Sequence, residues 1–342
     1  MVGSRLSADH FIYSVPRRKR SRDEIRMRTL FGTHFAIHSP TMGKIQYNWD
    51  LICANLLFGA NFSFFVSLTK YFLDFRQIFM LQILASAMFF VPFAIFSERS
   101  YRITWRDFGN ILIVSLLIVY GWMYMLLWGA SYTNPIDAST ISTLGPVFTL
   151  LFARIISHTP LAPARIAGIV FAFIGAGILL FDNGFVFAHG SSNYGNALVL
   201  IAVIAIAVNT VIIKPQLERL GTLVVMGWYY IIGLAITAPL FWKYIAHTPF
   251  LRLPMPALAE LLYILLLGTV LPMYLLYRGT EKLTSVHTAL YRYLQPVVAT
   301  ALALLRHQEK LDRANISAAA FIFIGILFIA LAGIRRATPT RE

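Results

Sequence analysis

Two stretches of this chain fall into register when one is shifted by 150 positions: PIDASTISTLGPVFTLLFARIISHTPLAPARIAGIVFAFIGAGILL (residues 135–180) and SVHTALYRYLQPVVATALALLRHQEKLDRANISAAAFIFIGILFIA (residues 285–330). The shift lays Pro146 on Pro296, Gly175 on Gly325 and Gly168 on Ala318, and sets the connection HTPLAP over QEKLDR. Each stretch holds two apolar runs of about 20 residues, the length a helix needs to cross the hydrocarbon core of a bilayer. The pairing suggests a duplicated membrane unit.

Composition agrees. Of 342 residues, 58% are hydrophobic and only 13% charged, where a soluble domain carries about 25% charged residues. Ten segments qualify as spans: 49–68, 76–96, 108–130, 135–156, 163–182, 194–213, 222–242, 257–277, 284–304 and 315–334. Short connections with breaker chemistry separate them, among them SYTNP (131–135) and DNG (182–184). The expected fold is an all-α polytopic membrane protein of ten transmembrane helices.

Ahead of the first span, residues 1–48 form a polar, basic segment containing RRKRSR, read as a solvated cytoplasmic tail; residues 335–342 form a short second tail. Met42 opens MGKIQYNWD and is an alternative start. The net charge of +14 is concentrated in this tail and in short loops, so nucleic acid is not the expected partner. Cationic side chains also orient the spans. With the N-terminus inside, 21 Lys and Arg residues fall on cytoplasmic segments and 7 on outer loops, leaving Arg292 within a span. Both termini are thus expected in the cytoplasm and the protein in a cell membrane, a bacterial inner membrane. The single cysteine, Cys53, lies in an apolar run and reads as a small buried residue.

The repeat divides the spans into halves of five, residues 49–183 and 194–334. An odd number of spans per half makes the second half enter the membrane from the opposite side. Inverted repeats of this kind belong to transporters, with the substrate site near the midplane between the halves.

The first span contains NLLFGANF, and each half runs from a proline through an apolar run and a polar turn to a glycine-bearing span. On these features the chain resembles the drug/metabolite transporter superfamily, EamA type, over about residues 49–334. In the second half Pro296, Glu309 and Gly325 fit the proline–glutamate–glycine spacing of that family. In the first half Pro146, Gly168 and Gly175 fit, but Thr159 stands where glutamate is usual, and Gln82 where the second span often has arginine. The resemblance implies ten spans in two five-helix repeats and a metabolite or amino-acid-like cargo, often exported.

Helical spacing on the ninth span puts Thr284, His287, Thr288, Tyr291, Arg292 and Gln295 on one face. All six are polar, so that face should look at protein or water. A mid-helix arginine costs about 2.5–3.5 kcal/mol on insertion scales, and its planar fork suits a carboxylate or phosphate. Arg292 is read as lining a substrate cavity; structural pairing and snorkelling toward the headgroups are the alternatives. Proline at 296 frees the carbonyl of residue 292 and bends the helix there. The 150-residue shift sets Ser142 opposite Arg292 and Gly145 opposite Gln295, and Asp137 near the outer end of the fourth span is a gating candidate. Further cavity candidates are Asn55, Asn61, Tyr120, Trp122, Tyr124, Asn209, Tyr274 and Tyr277.

Neither metal-ligand spacing nor a nucleotide-binding glycine motif occurs, so no metal or cofactor is expected and no enzymatic activity is assigned. These readings converge on a secondary transporter of a small organic solute bearing an anionic group, amino-acid-like, working by alternating access as an exporter or exchanger. Its expected partners are that solute and the lipid bilayer, with no obligate protein partner and the choice of monomer or dimer open. The alternative is a polytopic membrane enzyme acting on lipid or lipid-linked substrates.

Overall fold

The structure, a computed structural model, describes residues 40–157, 163–181, 188–246, 252–308 and 316–325, with Thr248, Lys310 and Arg313 besides. Most of the basic tail, residues 335–342, and the positions of Thr159 and Glu309 lie outside the described residues. Residues Gly43–Glu342 form one unit; of the other, Met1–Met42, only the start of the first helix is described.

Every regular element among the described residues is helical. In chain order they are α1 (Pro40–Tyr71), α2 (Phe75–Phe96), α3 (Trp105–Ala130), α4 (Pro135–Ser142), α5 (Gly145–Ser157), α6 (Pro163–Phe181), α7 (Ser192–Ile212), α8 (Lys214–Leu220), α9 (Thr222–Ala246), α10 (Met255–Lys282), α11 (Ser285–Leu290), α12 (Leu294–Leu305) and α13 (Ile316–Gly325). Seven stretches are long and apolar enough to cross a membrane: Ile45–Tyr71, Phe75–Phe96, Trp105–Ala130, Pro135–Ile156, Ser192–Ile212, Thr222–Ala246 and Met255–Lys282. The other three expected spans fall on α6, on the α11–α12 pair and on α13. For α6 and α13 the described apolar stretches, Ile166–Gly175 and Ile316–Gly325, are too short to cross alone.

Large apolar side chains cover the outside of the bundle, with Trp105 90%, Phe96 85%, Met88 78% and Leu305 75% exposed. On a soluble protein such a surface would aggregate; here it is the face the bilayer solvates. Cys53 is exposed on this surface, which corrects its reading as a buried residue: the apolar run containing it faces outward there.

Two helices break where sequence chemistry demands it. A proline donates no backbone hydrogen bond and collides with the carbonyl four residues earlier. Pro146 acts on residue 142, where α4 ends and a turn through Thr143 and Leu144 leads into α5. Pro296 acts on residue 292, and the chain tightens into a 3₁₀ turn over Tyr291–Tyr293 between α11 and α12. The capping residues repeat at the same interval. Asn134 accepts from the Asp137 backbone N–H at 2.7 Å, and Thr284, 150 positions later, from that of His287 at 3.2 Å.

The halves pack reciprocally. α4 packs on α12, while α11 packs on α5. Gly175 of α6 lies against Ala318 and Ile322 of α13, and Gly325 of α13 against Gly168 and Ala172 of α6, each contact being the other carried through the 150-residue shift. A pair of helices that exchange contacts in this way runs antiparallel about a two-fold axis. α2 and α9 share a large interface, where Gly227 admits the Phe90 backbone and the Ala94 side chain.

Candidate functional site

Where the breaks of α4–α5 and α11–α12 face the middle of α1, α2, α3 and α10, the packing leaves a cavity. It is lined by Phe58, Asn61, Phe62 and Phe65 of α1, Gln82 of α2, Trp122 of α3, Ser142 of α4, Gly268 and Thr269 of α10, and Arg292 and Gln295 of the broken helix. The space open to water is about 40 Å³. One water needs about 10–15 Å³ on that measure, so the cavity holds a few waters and is too tight for a metabolite without opening.

Two of its walls are irregular in a matched way. α3 widens into a π-helix over Leu117–Tyr124, and α10 over Tyr263–Val270. A π-turn leaves one residue out of the usual ladder and redirects the side chains beside it, which is why such turns gather at functional sites. They deliver Trp122 on one side and Gly268 and Thr269 on the other. Thr269 Oγ1 donates to the Ile264 carbonyl, 2.8 Å away, and accepts from Gln82 Nε2 at 2.7 Å.

Arg292 is 6% exposed, and among the described residues no hydrogen bond or ion pair reaches its guanidinium. Its stem lies on Gly145, where a Cβ would stand 2.7 Å from Cδ and 3.2 Å from Nε. The 3₁₀ turn turns this side chain inward. Beside it, Gln295 donates to Asn55 Oδ1 at 2.8 Å, and Asn55 in turn donates to the Leu51 carbonyl at 2.7 Å. Two acceptors in the same cavity, Asn61 Oδ1 and Gln82 Oε1, are buried without a partner among the described residues. A buried polar atom left unpaired costs about 1–3 kcal/mol, and two such oxygens beside the Arg292 guanidinium make this cavity the candidate site.

Of the sequence candidates, Arg292, Gln295, Ser142, Asn61 and Trp122 meet at this cavity. The others go elsewhere. The expected single polar face is split, because the 3₁₀ turn advances three residues per turn and breaks the phase. His287 Nε2 and the Tyr291 hydroxyl lie 3.1 and 2.9 Å from Asn48 Oδ1 at the N-terminal end of α1. Thr288 is buried outside the cavity lining, its hydroxyl without a partner among the described residues. Tyr124 joins an aromatic cluster with Phe79, Phe241 and Trp128. Tyr120 meets Thr237 at 3.2 Å, and Asn209 donates to the Tyr277 hydroxyl at 2.9 Å, tying α7 to α10. Tyr274 lines a separate cleft near the N-terminal end of α1. Asp137 is buried and accepts from Asn196 Nδ2 at 3.4 Å.

Sequence reasoning placed neither Gln82 nor Thr269 at the site. A lone glutamine in FMLQILAS was the available signal; nothing in the sequence paired it with a threonine 187 positions away.

Contacts flank the cavity toward both ends of α1. At the N-terminal end stand the Asn48 contacts and an ion pair between Arg278 and Asp50 at 3.2 Å. At the other end the Ser63 hydroxyl donates to Gln308 Oε1 at 2.6 Å, and Gln308 Nε2 donates to the Ser63 carbonyl at 3.0 Å. One turn farther, Arg306 pairs with Glu260, reaches Ser67 at 3.3 Å and stacks over Phe64.

A multi-pass helical bundle whose halves pack reciprocally around a partly polar cavity is the architecture of a membrane carrier. The sequence profile of the EamA-like transporter family matches residues 49–181 and again 193–331, and the chain belongs to that family. Among its relatives, an uncharacterized transporter of Clostridium kluyveri is 27% identical over 73% of this chain and 81% of its own length. A protein of Rickettsia bellii named S-adenosylmethionine uptake transporter is 25% identical over 71% of this chain and 79% of its own. A solved crystal structure covers 85% of this chain and 98% of its own with a TM-score of 0.59 at 19% identity, a likeness of fold.

Proposed function

We propose that the protein is a secondary transporter of a small organic solute carrying an anionic group, of amino-acid type, moved by alternating access around the central cavity. The observation that carries this reading is Arg292: a buried guanidinium with no carboxylate beside it among the described residues, in a cavity that also holds two amide oxygens without a partner among them. A carboxylate from the substrate would neutralise the arginine by a bidentate pair. An ammonium group on the same substrate would satisfy Asn61 Oδ1 and Gln82 Oε1. Phe58, Phe62 and Trp122 would cover its apolar part. The named relatives in Rickettsia support the choice of class, since S-adenosylmethionine bears an α-amino carboxylate.

In the cycle the contacts at either end of α1 are released in turn, opening the cavity to admit the solute. Direction follows the gradients, so export, exchange and uptake are one mechanism run under different conditions. The reading places the protein in a bacterial inner membrane with both termini in the cytoplasm, as the charge bias supports. It needs only the solute and the bilayer, whether the carrier is monomeric or dimeric.

The test is uptake and counterflow in proteoliposomes across a panel of amino acids, carboxylates and cationic metabolites. Arg292→Gln should reduce transport of an anionic or zwitterionic substrate at least about tenfold, the lower bound for losing a charged hydrogen bond. The variant's melting temperature should stay at or above that of the wild type, because an unpaired buried charge has been removed. Undiminished transport by the variant would exclude Arg292 as the anion contact.

A further inference from the structure

Away from the central cavity, a second and wider cleft of about 670 Å³ opens at the N-terminal end of α1, between the last turn of α2, the α8–α9 junction and the end of α10. None of its lining residues belongs to the central cavity. Three cations line it, Arg99, Arg278 and Lys282, against one carboxylate, Glu281. Arg278 is engaged with Asp50 at 3.2 Å and lies over the Tyr47 ring. Lys282 reaches Glu281 at 2.6 Å, and Glu281 also accepts from the Thr222 hydroxyl at 2.7 Å. Arg99 has no carboxylate partner among the described residues. Its guanidinium is drawn into the cleft over Gly221, whose φ of +86° and missing side chain leave the space: a Cβ there would stand 2.7 Å from Nη1. The cleft thus carries a cationic excess that the protein does not neutralise.

Its wall is as informative as its charge. Phe96 and Phe93 are 85% and 42% exposed, and Phe89, 49% exposed, continues the same face of α2 one turn deeper, its ring 5.7 Å from that of Phe93. Positions 89, 93 and 96 are spaced four and three apart, so they form one apolar strip running from the cations into the membrane. A soluble anion would use the cations and leave the strip bare. A ligand with a phosphate at one end and a hydrocarbon chain at the other uses both. The charge count puts this end of the bundle on the cytoplasmic side, where anionic lipids meet basic pockets between helices.

We propose that this cleft binds the headgroup of an anionic glycerophospholipid, with its phosphate between Arg99 and Lys282 and one acyl chain along Phe96, Phe93 and Phe89. The site is independent of the solute site, and its test does not depend on transport.

Purified protein, stripped of lipid in detergent, is offered phosphatidylglycerol or phosphatidylcholine of the same chain composition, and the retained lipid is counted by native mass spectrometry. Phosphatidylglycerol should be retained in preference. Arg99→Gln and Lys282→Gln should each lower its retention about fivefold, as expected for one cation near a membrane surface. Lys70→Gln, at the opposite end of α1, should leave retention unchanged. Phe96→Glu reaches the same end by another route, repelling the phosphate and spoiling the strip. Variants are scored only against their own melting temperature in lipid-free detergent, and Phe93→Gln replaces any that fails to fold. Equal retention of the two lipids would overturn the proposal, as would a preference that survives the Arg99→Gln, Lys282→Gln double variant. Displacement of phosphatidylglycerol by millimolar inorganic phosphate would also overturn it, assigning the cleft to a soluble anion.

Discussion

A methyl group added at Gly145 would stand 2.7 Å from Arg292 Cδ, closer than carbon atoms pack, and the arginine is the partner free to move. Gly145→Ala should therefore leave the fold intact and displace the guanidinium. The expected outcome is a rise in the half-saturating solute concentration of about tenfold, since misplacing a charge-assisted contact forfeits part of its 1.5–3 kcal/mol. Transport assays on Gly145→Ala, with Gly145→Ser as a graded second step, check this; wild-type affinity in both would separate the arginine from the solute. The residue itself was legible in the sequence, because a charge inside an apolar run has few uses and the 150-residue shift set it among small residues. Its seat on Gly145 was not, because the shift shows which positions are equivalent and only the packing of the two broken helices shows which of them touch. Gln82 and Thr269 were out of reach for a plainer reason: each is a single polar residue in an apolar helix, and only the packing of α2 on α10 makes them a pair.

At the scale of elements, α1 is the part held at both ends. Asn48 holds its N-terminal end to α11 and the 3₁₀ turn, and Ser63 and Ser67 hold its other half to the end of α12 and the segment just beyond it. Arg306 joins three of these helices, pairing with Glu260 of α10 and covering Phe64 of α1. Both members of the pair are mostly buried, with side chains 27% and 14% exposed, and each keeps one further polar atom without a partner. Removing one partner of a buried pair leaves the other uncompensated. Arg306→Gln should thus favour the state open at that end, and a bias of about 1.4 kcal/mol would shift the populations tenfold. The readout is labelling of Ser142→Cys in a Cys53→Ser background by a membrane-impermeant maleimide. The rate from the face near Arg306 should rise several-fold and fall from the opposite face; a rise on both would mean general loosening instead of a latch. Pro296 announced the break in α11–α12 from sequence, and its mate Pro146 marks the break in α4–α5 that only the structure shows. The π-helices in α3 and α10 were not foreseen, since one extra residue in a turn hardly disturbs an apolar pattern that has no polar face to mark it.

For the molecule as a whole, the contacts that decide the architecture are those that repeat when carried through 150 positions. Gly175 on Ala318 and Ile322 returns as Gly325 on Gly168 and Ala172, and the caps at Asn134 and Thr284 follow the same interval. The landmarks were visible because proline and glycine are dictated by backbone geometry, while the apolar residues between them can exchange freely in lipid and lose their likeness. Antiparallel packing of equivalent helices is compatible with a bilayer only if equivalent loops lie on opposite sides. Tyr132 follows α3 and Leu283 follows α10, and they occupy nearly equivalent places in the two halves. With Cys53 replaced by serine, Tyr132→Cys should react with an impermeant maleimide added outside intact cells. Leu283→Cys should react only after the membrane is permeabilised. The charge bias predicts which of the two is outside, and the reciprocal packing requires that they differ. Reaction of both from one side would break the inverted relation, and with it any mechanism in which one half rocks against the other around Arg292. The reverse assignment, Leu283 outside and Tyr132 inside, would keep the mechanism and overturn only the orientation, moving the Arg99 cleft to the outer leaflet.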